Sequence, residues 1–323
     1  MVQKPVVLLV PTSEETGELA KNLASSHIEL VLAQPGTDAF EATLRKAQFM
    51  ICYPQVQMDA LFYKKAPHLK LVQLLSAGYD AVDIAAARRA KVPVANNGGA
   101  NAISVAEHAM MLMLTVARRV VWQHQSVSGG RWRGNGPPPV MYELYDKTLG
   151  IIGLGNIGRK VARRAQAFGM KVEYYDIKRL TEDEEDALGV KFRLRRELLR
   201  RSDIVSLHVP LNASTKHMIG VGELALLKKC AILVNTSRGP VIDETALAKA
   251  LEKKAFFGAG LDVFDEEPPP SDNPLFKLDN VVLTAHFAGP TFDNHIARFR
   301  NAFDNVERIV RGEVPFWVVP ELS

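Results

Sequence analysis

The sequence predicts an α/β protein whose parallel sheets belong to two doubly wound units. Short runs of β-branched and aliphatic residues alternate with longer stretches of helical spacing, without a fixed repeat period. The length of 323 residues fits about two domains. The 40 Lys and Arg residues against 36 Asp and Glu leave a net charge of only +4, which gives little support to a nucleic-acid partner.

The cysteines and the apolar runs point to the cytoplasm. Cys52 and Cys230 stand far apart and form no CxxC motif, so we expect neither a disulfide framework nor a metal site. The first apolar run ends at Pro11 before an acidic pair, which is typical of a strand rather than a signal peptide. The most apolar helical stretch has nine uncharged residues, fewer than the roughly 18 that span a bilayer, so we expect no membrane partner.

The first third of the chain predicts one doubly wound unit, with strands at residues 5–10, 28–32, 49–52 and 71–75. A long helix follows over residues 101–119, and because it is apolar on more than one face we expect it to be buried between two units. Residues 122–146 contain many glycines and prolines. They predict an irregular functional arm or linker.

The second series of strands is more regular. It comprises residues 148–152, 171–175, 203–209, 231–236, 258–263 and 281–284. A helix is predicted over residues 159–168 and another over residues 291–310, and residues 315–320 are placed to return to the first unit. The acidic run at residues 182–186 indicates either a solvated loop or the start of a helix.

A glycine motif joins the first strand of this series to its helix. Gly153, Gly155 and Gly158 form GxGxxG directly after the strand that begins at Thr148. Gly153 would permit the tight turn, Gly155 would let the backbone approach a pyrophosphate, and Gly158 would let helix and strand pack closely. Such a motif alone can be an ordinary glycine-rich turn, but the strand before it and the helix after it favour a dinucleotide site.

The residue that ends the next strand supports this interpretation. Asp176 lies 18 positions past Gly158, close to where an acidic residue binds the adenosine ribose hydroxyls. A carboxylate there would repel a 2′-phosphate, so the sequence favours NAD over NADP. Lys178 and Arg179 follow and leave NADP open, although cations are also common on solvated turns.

Three reactive side chains follow strands of the second unit, where open α/β sheets bind ligands. Arg238 offers a planar set of donors that can hold a carboxylate in bidentate fashion. The imidazole of His286 can donate and accept a proton near neutral pH, and Glu267 can orient it. Singly, each residue type is more often structural, but three in one unit favour catalysis.

At this point the chain resembles the D-isomer-specific 2-hydroxyacid dehydrogenases over nearly its whole length. The similarity rests on the glycine motif, the segment Ser-Leu-His-Val-Pro-Leu at residues 206–211, the Arg238 segment, Glu267-Pro268 and His286. It implies that Arg238 binds the substrate carboxylate while His286 acts as acid and base, oriented by Glu267. It also implies a Rossmann-type doubly wound NAD domain, residues 101–287, inserted in a flavodoxin-like substrate domain, residues 1–100 and 288–323.

The resemblance assigns further residues. Cofactor contacts are implied for Asn156, Ile157, Pro210, Thr236 and Asp262, and substrate contacts for Ala77, Gly78 and Tyr53. Three of them have a simpler interpretation: Asp262 can cap a turn, Gly78 can serve the backbone conformation, and Tyr53 can be packing. His208 is expected near the cofactor, and His108 is expected to be a hydrogen-bonded core residue.

The sequence departs from the family pattern just before the acid, where Ala285 replaces the usual proline. The stretch at residues 100–108 resembles formate dehydrogenases, but those carry Gln in place of Glu267. Because reduction of a keto acid needs a proton donor and formate oxidation does not, Glu267 argues against formate. The resemblance implies glyoxylate or hydroxypyruvate as substrate, and a homodimer formed through the long helix and the arm at about residues 122–146.

Two alternatives stay open. One is a 3-phosphoglycerate dehydrogenase, which would need extra cations in the first domain, with Lys64, Lys65 and Arg88 as candidates. The other is a non-catalytic NAD(H)-sensing protein similar to the C-terminal-binding transcriptional corepressors, which share the fold and the three reactive residues.

Overall fold

The computed structural model describes residues 4–323, and these form two compact units. Unit 1 runs to Asn101 and resumes from Pro290 to Ser323, whereas unit 2 is Ala102–Gly289. Within the described residues, no helix is both long enough and apolar enough to cross a membrane.

The strands are β1 (Val6–Leu9), β2 (Glu29–Leu32), β3 (Phe49–Cys52), β4 (Leu71–Leu74), β5 (Val94–Ala95), β6 (Thr148–Ile152), β7 (Lys171–Tyr175), β8 (Val190–Phe192), β9 (Ile204–Leu207), β10 (Ile232–Asn235), β11 (Gly258–Leu261) and β12 (Val281–Leu283). The α-helices are α1 (Glu14–Leu23), α2 (Asp38–Leu44), α3 (Ala60–Lys65), α4 (Ile84–Ala90), α5 (Ala102–Ala117), α6 (Val120–Ser128), α7 (Asn156–Ala167), α8 (Glu182–Leu188), α9 (Arg195–Arg201), α10 (Val221–Leu224), α11 (Glu244–Glu252) and α12 (Phe292–Val310).

Unit 1 holds a parallel sheet in the order β2-β1-β3-β4-β5, the order of flavodoxin-like folds. Strands β1, β3 and β4 are buried along their full length, because helices cover both faces of the sheet. On one face, Phe299, Phe303 and Val306 of α12 pack in a cluster with Val7 and Phe49. The C-terminal helix is therefore part of the core of unit 1.

Unit 2 holds a parallel sheet in the order β12-β11-β10-β9-β6-β7-β8. The chain starts at β6, winds outward through β7 and β8, and then returns to β9 on the other side, which is the Rossmann arrangement. The strand order reverses between β6 and β9, so their carboxyl ends form the switch point where such sheets bind ligands. Helix α5 contributes Leu112, Met113 and Val116 to the core beneath this sheet.

The predicted irregular segment at residues 122–146 is wrong over its first part. Helix α6 continues to Ser128, and only Arg118 and Arg119 separate it from α5, with Arg119 in the left-handed conformation. The glycines that suggested a loop begin at Gly129, so residues 120–128 carry no helix-breaking residue. The helix after the glycine motif likewise begins earlier than predicted, at Asn156.

Two other local expectations are settled by contacts within each unit. The acidic run begins a helix, because Thr181 accepts the amide of Glu184 and the Glu184 carboxylate accepts the amide of Thr181. The C-terminal segment returns to unit 1 as predicted, since the Val319 amide donates to the Val94 carbonyl and Ala95 bridges Val318. The short strands β5 and β8 were not predicted, because two or three residues give no periodicity.

Candidate functional site

The glycine loop sits at the switch point of unit 2. Gly153 follows β6 with a φ of +95°, and a Cβ there would lie 2.5 Å from the carbonyl oxygen of His208 at the end of β9. A Cβ on Gly158 would lie 2.2 Å from the carbonyl oxygen of Gly153. Both positions therefore require glycine so that loop, strand and helix can approach closely.

Gly155 differs from its neighbours. It is the N-cap of α7, it is exposed, and a Cβ on it would meet no atom within 4 Å. No side chain caps this helix, and the exposed Asn156 and half-buried Ile157 begin its first turn. The first amide groups of α7 are thus open to a phosphate, and the residues present fit a dinucleotide.

Asp176 is tied to this loop. Its carboxylate accepts the amide of Leu154 at 2.7 Å and the amide of Lys178 at 3.1 Å. Each carboxylate oxygen retains acceptor capacity for a ribose hydroxyl. Arg179 is turned toward Glu185, with its Nε 3.0 Å from the carboxylate.

Two buried polar atoms beside the switch point lack partners within the described residues. They are Nδ1 of His208, after β9, and Oγ1 of Thr236, after β10. The other ring nitrogen of His208 lies 2.9 Å from the Ser206 hydroxyl, and burial lowers the pKa of His208 to about 3. Such unsatisfied groups are expected where a ligand completes the site. Pro210, two residues beyond His208, is exposed.

Asn235, which the sequence analysis overlooked, shapes the turn that carries Arg238. Its Nδ2 donates to the Arg238 carbonyl at 2.9 Å, and its Oδ1 accepts the Ser237 amide at 3.0 Å. The Arg238 guanidinium donates through Nη1 to the Ser237 carbonyl at 2.7 Å. The polar residue at the end of an otherwise apolar strand was the available signal.

His286 and Glu267 form a direct pair. His286 Nδ1 lies 2.7 Å from Glu267 Oε2, and Glu267 Oε1 accepts the Phe264 amide at 3.1 Å. Burial opposes ionisation of Glu267, but the hydrogen bonds from His286 and Phe264 and the nearby charge of Arg238 outweigh it and lower the pKa of the carboxyl group. An ionised carboxylate only accepts, so Nδ1 carries the proton and Nε2 is the nitrogen left for a ligand.

Asp262 holds the loop that carries His286. It is fully buried at the end of β11, and its carboxylate accepts the amides of Phe287 at 3.0 Å and Ala288 at 2.9 Å. The Thr284 hydroxyl donates to it at 2.6 Å, and His108 lies 3.4 Å away. Asp262 therefore fixes the turn that follows β12. It does not cap the turn that directly follows Asp262 in the sequence. His108 is hydrogen-bonded, as predicted.

The sheet register explains how these residues come together. Asn235, Leu261 and Leu283 are register partners on the adjacent strands β10, β11 and β12. Arg238 and His286 each follow three residues later, so they emerge at the same edge of the sheet as the glycine loop.

The predicted substrate residues of unit 1 lie at the carboxyl ends of β3 and β4. The Ala77 carbonyl accepts Asn96 Nδ2 at 2.9 Å, and the Gly78 carbonyl accepts the Ser76 hydroxyl at 2.6 Å. Neither the Ala77 nor the Gly78 amide has an acceptor within residues 4–323, so this turn presents two donors. Tyr53, which follows β3, bonds the guanidinium of Arg298.

Comparison with known proteins identifies a family and similar chains. Residues 110–288 match the family described as D-isomer specific 2-hydroxyacid dehydrogenase, NAD binding domain. The chain is 40% identical over 318 residues to a glyoxylate reductase of Korarchaeum cryptofilum, covering 97% of this chain and 95% of that one.

Solved structures extend the similarity to the whole fold. D-lactate dehydrogenase of Aquifex aeolicus, complexed with NAD and lactic acid, is 29% identical with a TM-score of 0.82 and covers 95% of this chain and 96% of its own. An acyclic imino acid reductase in complex with NADPH and D-Arg is 28% identical with a TM-score of 0.82, covering 97% of this chain and 99% of its own.

Proposed function

This chain belongs to the D-isomer-specific 2-hydroxyacid dehydrogenase family and is therefore an NAD-binding oxidoreductase of keto acids and hydroxy acids, and from this premise we propose that it reduces a small 2-keto acid such as glyoxylate or hydroxypyruvate. The observation that carries the proposal is the His286–Glu267 pair, at the same sheet edge as Arg238 and the glycine loop.

Each proposed role follows from the contacts of one side chain. Arg238 binds the substrate carboxylate through its planar guanidinium and polarises the neighbouring carbonyl. The amides of Ala77 and Gly78 offer further donors to the same carboxylate. His286 transfers the proton of Nε2 to the carbonyl oxygen, while Glu267 stabilises the imidazolium that supplies it.

NADH, when bound at the glycine loop, would supply the hydride for the carbonyl carbon. With the proton from His286, the 2-keto acid would become the corresponding 2-hydroxy acid, in the D form where that carbon is chiral. Asn156, Ile157, Pro210, Thr236 and Asp262 remain proposed cofactor contacts. Asp262 would act mainly through the backbone of residues 287–288, because its carboxylate already accepts those two amides.

We infer a preference for NAD over NADP from Asp176. A 2′-phosphate would meet its carboxylate, while Arg179, one of the two cations that follow Asp176, is paired with Glu185. The test compares kcat/KM for NADH and NADPH with glyoxylate. A higher value for NADPH would contradict the role given to Asp176.

The substrate is tested by following NADH oxidation over glyoxylate, hydroxypyruvate, pyruvate, phenylpyruvate and 3-phosphohydroxypyruvate. We expect glyoxylate or hydroxypyruvate to give the highest kcat/KM. Saturable NADH binding without turnover of any of them would instead favour a nucleotide sensor. The phosphorylated substrate is disfavoured because Lys65 pairs with Glu41 and Arg88 donates to the Glu321 carbonyl.

We also propose that the protein is a cytoplasmic homodimer. Large apolar side chains of α6 and the following segment are exposed, namely Val120, Val121, Val127, Trp132 and Val140. Faces of this kind are commonly covered by a second copy. Light scattering coupled to size exclusion should give twice the monomer mass, and Val121→Asp with Val127→Asp should give the monomer mass. Both cysteines are free, which fits a reducing compartment.

A further inference from the structure

Unit 1 contains a buried cation without an acidic partner. Arg298, on α12, is only 4% exposed. Among the described residues its guanidinium forms one hydrogen bond, which Nη1 donates to the Tyr53 hydroxyl at 2.6 Å. Within residues 4–323, no Asp or Glu forms an ion pair with it. Arginine keeps its charge in proteins, and buried charges are almost always paired.

The groups around Arg298 do not supply the missing negative charge. Its guanidinium carbon lies 5.7 Å from the centre of the Tyr53 ring, and Asn97 Nδ2 contacts only its main-chain carbonyl. His295, one helical turn earlier, has its pKa lowered by burial and by the positive charge of Arg298, and an imidazole brings no negative charge in either protonation state. An anion from outside the chain would complete this cluster.

Tyr53 is the less buried member of the pair, because it is half-buried whereas Arg298 is buried. Because its oxygen accepts from Arg298, its own proton must point elsewhere, and no acceptor for that proton is found within residues 4–323. Tyr53 follows β3, and the turn with Ala77 and Gly78 follows the adjacent strand β4. The Tyr53 hydroxyl, which is bonded to Arg298, and the amides of Ala77 and Gly78 thus lie at the same edge of one sheet.

We propose that Tyr53 and Arg298 select 2-keto acids that carry a second, distal carboxylate. The Tyr53 hydroxyl would donate to that carboxylate, and the Arg298 charge would compensate it through the hydroxyl. A carboxylate fits better than a phosphate, because the site offers a single polarised donor and a phosphate needs several. This inference rests on the proposed function, since it assumes that the other end of the molecule is reduced at His286.

The experiment compares two substrates of almost equal size. Oxaloacetate carries a distal carboxylate, whereas 2-oxosuccinamate carries the neutral amide in its place. We expect kcat/KM with NADH to be at least about 10-fold higher for oxaloacetate, the usual effect of one charge-assisted hydrogen bond. In Arg298→Met and in Tyr53→Phe this ratio should fall to about one, whereas Arg300→Met, which alters an exposed arginine of the same helix, should keep it.

The outcomes separate the two proposals. Reduction of glyoxylate with an oxaloacetate to 2-oxosuccinamate ratio near one in the wild type would overturn this inference and leave the proposed function intact. A high ratio that survives in Tyr53→Phe would also overturn it. Because Tyr53→Phe removes no buried charge, it keeps the test available if Arg298→Met fails to fold. Failure to reduce any 2-keto acid, including oxaloacetate, would overturn both proposals.

Discussion

His286 stands at a non-glycine position with a φ of +57°, a left-handed conformation that few residues adopt without support. That support comes from the backbone, because the His286 amide donates to the Asp262 carbonyl at 2.8 Å. The side chain is supported separately by Glu267. The backbone of His286 is therefore held by the main chain of Asp262, and its imidazole is held by the carboxylate of Glu267.

The proton-donor role of His286 gives the first prediction. His286→Gln keeps a hydrogen-bonding side chain but has no acidic proton, so kcat should fall by about 10²- to 10⁴-fold, the usual contribution of a general acid. Steady-state NADH oxidation measures this, with His68→Gln, at an exposed position, as the control. Turnover within a few-fold of wild type in His286→Gln would exclude His286 as the acid.

His208 gives a prediction about pH and stability. Burial lowers its pKa from 6.5 to about 3, so between these values the unfolded chain binds a proton that the folded chain does not. This contribution destabilises the fold progressively as pH falls below about 6.5. In His208→Gln the decline in stability between pH 6.5 and pH 4 should be shallower than in wild type. Urea titrations measure it, and the exposed His27→Gln should keep the wild-type slope.

At the scale of elements, two glycines of the loop meet different requirements: Gly158 allows close packing, and Gly155 leaves open space at the start of α7. A Cβ on Gly158 would collide with the Gly153 carbonyl, whereas a Cβ on Gly155 would meet nothing in the protein. We therefore expect Gly158→Ala to lower the melting temperature, and Gly155→Ala to keep it while weakening NADH binding. Thermal unfolding and fluorescence titration with NADH distinguish the two variants. A loss of stability in Gly155→Ala would contradict the open position described for it.

The loop between β12 and α12 depends on one carboxylate. In Asp262→Asn the amide group can accept only one of the two amides that Asp262 now accepts, and its NH₂ would face the other. Leaving one such buried group unsatisfied should cost about 1–3 kcal/mol of unfolding free energy. Because the same loop carries His286, kcat should fall as well. Normal kcat with reduced stability would show that Asp262 supports the fold alone.

The order of the motifs made the elements of the site predictable from the sequence. The long-range polar contacts were not predictable. The glycine motif and the strands that lead to Arg238 and His286 are visible as short apolar runs followed by reactive residues. The contacts of Asp262 with His108, and of Tyr53 with Arg298, join residues far apart in sequence, and no local pattern encodes them. Helix α6 was not predicted, because the glycines that begin at Gly129 led us to interpret residues 122–146 as one irregular segment.

At the scale of the whole molecule, the C-terminal segment completes unit 1. The Trp317 carbonyl accepts the Asn96 amide at 3.0 Å, and the Val319 amide donates to Val94 at 2.9 Å. Removing residues 315–323 also removes the Phe316 groups that bond Asn305. We expect this truncation to expose unit 1 to limited proteolysis while the 102–289 region stays protected. Mass spectrometry of the fragments measures it, and first cleavage within 102–289 would contradict the prediction.

The position of α12 has a consequence for synthesis on the ribosome. All of unit 2 has been translated once Gly289 is added, but unit 1 still lacks the helix that supplies Phe299, Phe303 and Val306 to its core. During that interval the first hundred residues carry a sheet with one apolar face only partly covered, by helix α1, which is the kind of surface that aggregates or recruits chaperones. The nascent chain therefore completes its nucleotide-binding unit first and its N-terminal unit last.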